Sequence, residues 1–175
     1  MMTHKIYTTK SGTIHYWMNV IDKSKVTLVF LPGLTADHRL FDKQIEYFGN
    51  KYNVFVWDAP GHAMSWPFTF DFDLMDKAKW LNEILEKEEI HFPIIVGQSM
   101  GGYVGQAFAE LFPKKLKGFI SIDSAPLQKK YVTGIDHWIA FILLGAIGAN
   151  MVKEAFSHEQ NENDSCFGFK TMLVM

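Results

Sequence analysis

Three short, nearly continuous apolar runs constrain this chain more than any other feature: residues 26–31 (Val-Thr-Leu-Val-Phe-Leu), 54–57 (Val-Phe-Val-Trp) and 94–96 (Ile-Ile-Val). A strand covered on both faces reads in this way, whereas a strand with one wet face alternates polar and apolar residues. Between the runs lie segments of helical period. Residues 39–50 form one. Residues 73–89 form a second, with Leu74, Ala78, Leu81 and Leu85 on one face and Asp73 and Asp76 near its positive N-terminal end. A third covers 99–112, turning Tyr103, Val104, Ala107, Phe108 and Leu111 inward and stopped by Pro113. Such alternation builds βαβ crossovers around a parallel sheet. Two β-branched and aromatic stretches, 6–9 and 13–20, are split by Ser11-Gly12 and predict an antiparallel pair at one edge. Residues 118–122 add a last strand, closed by Asp123-Ser124-Ala125-Pro126. The expected fold class is α/β, a mostly parallel sheet of about six strands with flanking helices.

The chain has 175 residues, 48% of them hydrophobic, which is enough to bury a single core. A net charge of -2, from 17 basic and 19 acidic residues spread along the chain, offers no patch for nucleic acid or an anionic membrane. One cysteine, Cys166, excludes an intrachain disulfide and fits a reducing compartment. No apolar h-region follows the N-terminal lysines, so no secretory signal is expected. The longest apolar run, residues 138–149, falls short of the roughly 20 residues that span a bilayer and holds Gly145 and Gly148; it reads as a buried or pocket-lining helix. The expected location is cytoplasmic, with no membrane span.

The residues that carry chemistry begin with Gly97-Gln98-Ser99-Met100-Gly101. The pentapeptide follows an apolar strand and opens a helix, the setting in which a sharp turn holds a serine in strained backbone geometry and pushes its Oγ out above a sheet. Gly97 and Gly101 are needed there because side chains would collide with the neighbouring strand and helix, and Gly102 and Gly105 extend the close packing. The helix N-terminus beneath Ser99 favours developing negative charge.

Two further segments follow strands: Leu31-Pro32-Gly33-Leu34-Thr35 and Asp58-Ala59-Pro60-Gly61-His62-Ala63-Met64-Ser65. Together with the Ser99 turn they make residues 5–127 resemble the α/β-hydrolase superfamily. The resemblance implies an esterase- or lipase-like serine hydrolase that needs no cofactor or metal and takes a small-molecule acyl substrate. Ser99 would be the nucleophile, and the backbone N–H groups of Leu34 and Met100 the oxyanion donors. Pro32 stands where the family usually carries histidine, although that side chain is not the donor. His62 falls in the second loop, which marks the fold more than the chemistry.

A serine needs a base and an acid to orient it, and the family order is Ser, then Asp or Glu, then His. No later strand followed by Asp, and no later Gly-His loop, is legible in 124–175. The chain therefore reads as C-terminally shortened, with residues 1–127 the N-terminal part of the core, 128–156 a cap-like helical segment and 157–175 a polar tail without period. Asp123 is the candidate acid, since a minority of these hydrolases place it on that strand. The base is unassigned: His137 and His158 read as surface or cap residues. Ending the sheet at residue 122 exposes an apolar strand edge, a route to self-association. Two alternatives stay open, a catalytically impaired or inactive fragment and a cofactor-free lyase or perhydrolase built on the same motifs.

Overall fold

A computed structural model of the chain describes residues 2–19 and 22–126. Its strands are β1 (Thr3–Thr8), β2 (Thr13–Asn19), β3 (Thr27–Leu31), β4 (Asn53–Trp57), β5 (Ile94–Gln98) and β6 (Gly118–Ile122). Its helices are α1 (Asp42–Phe48), α2 (Leu74–Lys87) and α3 (Met100–Leu111). All six strands lie in one sheet, ordered β1-β2-β4-β3-β5-β6. From β4 to β6 the pairing is parallel, while β1 and β2 join as the antiparallel edge. This is the mostly parallel α/β sheet that the three apolar runs predict.

The central strands are apolar on both faces because both faces are covered. In β3, Val29 and Leu31 join a core layer beneath α2 and α3 with Phe55, Trp57 and Ile95, while Leu28 and Phe30 join Val54, Val56 and Phe41 on the α1 side. Helix α2 is fixed at its start by a reciprocal cap: the Asp73 carboxylate accepts from the Asp76 N–H at 3.0 Å, and the Asp76 carboxylate accepts from the Asp73 N–H at 3.2 Å. Ala78, Leu81, Ile84 and Leu85 form its buried stripe.

Two expectations differ from the structure. Residues 39–50 are not one helix: a short tight turn, His38–Phe41, precedes α1, because Phe41 leaves helical geometry to bury its ring against Phe30 at 4.8 Å. Leu111 does not face inward but is 38% exposed, and Phe112, just past the helix end, packs on Phe108 in its place.

The chain divides into two units, Met1–Leu127 and Gln128–Met175, and the sheet with its helices belongs to the first. The cap-like segment and polar tail expected for 128–156 and 157–175, with His137, His158 and Cys166, lie outside the described residues. Among the described residues β6 pairs only with β5, and Ile120 and Ile122 are 51% and 43% exposed. No described helix is long and apolar enough to cross a membrane.

Candidate active site

Strand β5 ends at Gln98 and α3 begins at Met100, so the whole reversal falls on Ser99, with φ +50° and ψ -116°. That backbone conformation is sparsely populated for a residue with a side chain and persists only where the surroundings over-determine it. Ser99 N–H donates to the Ile122 carbonyl at 2.9 Å, and the Ser99 carbonyl accepts from Gly102 N–H at 2.9 Å. The turn is thus tied both to β6 and to the first turn of α3. Packing explains two of its glycines. A Cβ on Gly97 would lie 2.6 Å from Gly102 N, and one on Gly101 would lie 2.5 Å from the Leu31 carbonyl carbon.

The loop after β3 reaches the same place. Gly33 packs against the Gln98 side chain, and a Cβ there would come within 3.3 Å of Ser99 Cβ. This close approach puts the Gly33-Leu34 backbone beside the serine, in a turn closed by Ala36 N–H donating to Gly33 O at 3.3 Å. Leu34 itself is 61% exposed. On the other side Met100 is held by its side chain: Lys77 Nζ lies 3.4 Å from Met100 Sδ and sits over the Phe72 ring at 5.4 Å. Burial lowers the pKa of that Lys77 ammonium below its ordinary value.

Asp123 follows directly on the strand residue that anchors Ser99 N–H. It is exposed and has φ +53°. Neither its carboxylate nor Ser99 Oγ makes a hydrogen bond to a described side chain, so the structure does not bring Asp123 and a histidine together among the described residues. His62 is engaged locally: its Nδ1–H donates to the Pro60 carbonyl at 3.1 Å.

A histidine–carboxylate pair does form elsewhere, between residues that no motif joins. Asp58, fully buried at the end of β4, takes His38 Nδ1 at 2.9 Å, His38 N–H at 2.8 Å and Met64 N–H at 3.1 Å. The His38 ring stacks on Trp17 of β2 with centroids 3.7 Å apart. His38 therefore stands over β2 and β4, across β3 from Ser99. Only the fold brings these partners together, 20 residues apart in the chain. A cavity of about 160 Å³ lined by Leu85, Ile90, Phe92, Phe108 and Lys115 lies toward the start of β5 and shares no residue with the Ser99 turn.

Comparison with known proteins finds two unlike matches. The family model described as alpha/beta hydrolase fold matches residues 26–144. A second model, "Putative manganese efflux pump", matches residues 116–175. Among solved structures, an N-acyl homoserine lactonase complexed with N-hexanoyl homoserine superposes with TM-score 0.61 at 21% identity, over 72% of this chain and 46% of that one. An alpha/beta hydrolase enzyme from a Medee basin deep-sea metagenome library superposes with TM-score 0.62 at 22% identity, over 67% of this chain and 43% of that one. A relative from Campylobacter jejuni subsp. doylei, named "Putative manganese efflux pump MntP", is 42% identical over 90 residues, which are 51% of this chain and 43% of the relative. The chain thus spans less than half the length of each of these three proteins.

Proposed function

The chain belongs to the alpha/beta hydrolase fold family, and from that premise we propose that it is a serine hydrolase of carboxylic esters or related acyl compounds, with Ser99 as nucleophile. The observation that carries this is the strained single-residue turn at Ser99 with the Gly33-Leu34 backbone packed against it. In this reading Ser99 Oγ bonds to the substrate carbonyl carbon as its proton passes to solvent water, and the carbonyl oxygen takes up negative charge between the N–H groups of Leu34 and Met100. Collapse of that intermediate breaks the ester C–O bond, the departing oxygen takes up a proton and leaves as the alcohol, and the acyl-serine that remains is hydrolysed by water. Each oxyanion donor is worth about 2.7 to 4 kcal/mol of transition-state stabilisation. The solved neighbour is an N-acyl homoserine lactonase mutant complexed with N-hexanoyl homoserine, which supports an acyl substrate here.

Asp123 is the acid of this proposal, and no described histidine reaches Ser99 Oγ. Loss of the histidine from a serine triad costs on the order of 10⁶ in kcat, so slow turnover is expected of the described residues alone. A fluorophosphonate probe with peptide mass spectrometry tests the nucleophile, alongside p-nitrophenyl acetate hydrolysis. Label on Ser99 and its loss in Ser99→Ala are expected. A folded protein with no label at Ser99 and no turnover would overturn the assignment.

A second reading rests on the pump match over residues 116–175. Here the chain joins a hydrolase-like part to a pump-like part, and the apolar run 138–149 associates with a bilayer instead of lining an acyl pocket. Alkaline carbonate extraction of membranes from cells expressing the whole chain separates the two. Retention in the pellet supports the second reading, and release of all the protein into the supernatant removes it.

A further inference from the structure

We infer that Ser124 is a positioning residue that aims the Met100 N–H, an inference that rests on the proposed role of Ser99. Strand β6 ends at Ile122, and the left-handed backbone of Asp123, φ +53°, turns the chain so that Ser124 comes back over the start of α3. Ser124 Oγ then lies 2.9 Å from the Ser99 carbonyl oxygen and 3.1 Å from the Ile122 carbonyl oxygen. A hydroxyl has one proton to donate, and the Ser99 carbonyl is the nearer acceptor. Since Ile122 O already accepts the Ser99 N–H at 2.9 Å, residues 122–124 hold both backbone polar groups of the strained serine. The seam continues one turn further, where Gln106 Nε2 donates to the Ala125 carbonyl at 2.9 Å.

Peptide planarity gives this contact its consequence. The Ser99 carbonyl and the Met100 N–H are the two ends of one trans peptide unit, so fixing the direction of the carbonyl fixes that of the N–H. Gly102 N–H at 2.9 Å and Tyr103 N–H at 3.3 Å also hold this carbonyl, but both belong to the same helix and move with it. Ser124 is the restraint supplied from outside the helix, by the turn that follows β6. Room for it exists only because residue 102 is glycine: a Cβ there would lie 2.7 Å from Ser124 Cβ. A donor aimed at a developing oxyanion acts in the transition state, so its misalignment lowers kcat and leaves KM nearly unchanged.

The test compares the 175-residue chain with Ser124→Ala and Ser124→Thr, each confirmed folded by its thermal transition, by rate of Ser99 modification with a fluorophosphonate. Loss of one hydrogen bond predicts labelling about five- to tenfold slower in Ser124→Ala, with recovery in Ser124→Thr and, where turnover is measurable, a change in kcat without a change in KM. Labelling of Ser124→Ala at the wild-type rate would overturn the inference. If wild-type Ser99 is itself unlabelled and the folded chain shows no turnover, the nucleophile assignment fails instead, and amide exchange then decides the clamp. Faster exchange of the hydrogen-bonded Ser99 and Gly102 N–H groups in Ser124→Ala supports it, and equal exchange removes it.

Discussion

Lys77 carries a positive charge into the layer between α2 and α3, where its described partners are a thioether and a phenyl ring. Burial lowers its pKa from 10.5, so the folded chain holds fewer protons than the unfolded chain at pH values between the lowered pKa and 10.5. Stability contributed by this group therefore rises as pH climbs through that window, and at neutral pH the buried ammonium is a cost. Lys77→Met is expected to be more stable than wild type by about 1 kcal/mol at pH 7, with the gap narrowing toward pH 10. Denaturant titrations at the two pH values check this, and a variant less stable at both would contradict it. At this scale legibility follows range. Ser99, Gly97 and Gly101 were readable because five consecutive residues define their geometry. His38 and Asp58 were not readable as a pair, because β4 and the loop after β3 meet only when the sheet forms.

Among the elements, α2 shows how much of a boundary local chemistry can set. Asp73 and Asp76 stood out in the sequence as acidic residues at a helix start, and the structure closes them into a reciprocal cap. Asp73→Ala is expected to cost about 1 kcal/mol, lowering the thermal midpoint by roughly 2–6 °C. An unchanged midpoint in differential scanning calorimetry would show that the cap contributes nothing. The strand boundaries were legible to within a few residues for the same local reason. The break before α1 was not, because burial of Phe41 against Phe30, a residue of β3, overrides the helical period of 39–50. The last turn of α3 was not legible for the same reason: both Leu111 and Phe112 are apolar, and only the packing against Phe108 selects the second.

At the scale of the molecule, the sheet offers one side of β6 without a described partner, with Ile120 and Ile122 well exposed. An apolar edge strand of this kind is a template for another strand. Self-association that rises with concentration is expected in sedimentation velocity, and Ile120→Lys, which places a charge on that edge strand, is expected to shift the population toward monomer. An identical sedimentation profile for the variant would place the association elsewhere. The α/β class was legible from strand and helix periods alone. The pump likeness of 116–175 was not, since an apolar run of 12 residues with two glycines carries no pattern that separates a pocket helix from part of a membrane protein.

The backbone at Ser99 bears on how such a chain drifts. Holding a serine at φ +50° costs on the order of 1–3 kcal/mol, whereas glycine adopts positive φ without steric penalty. A lineage relieved of any chemistry at this turn would therefore gain stability by exchanging serine for glycine there. Residue 99 is the position at which abandonment of the proposed reaction would be written first into the gene.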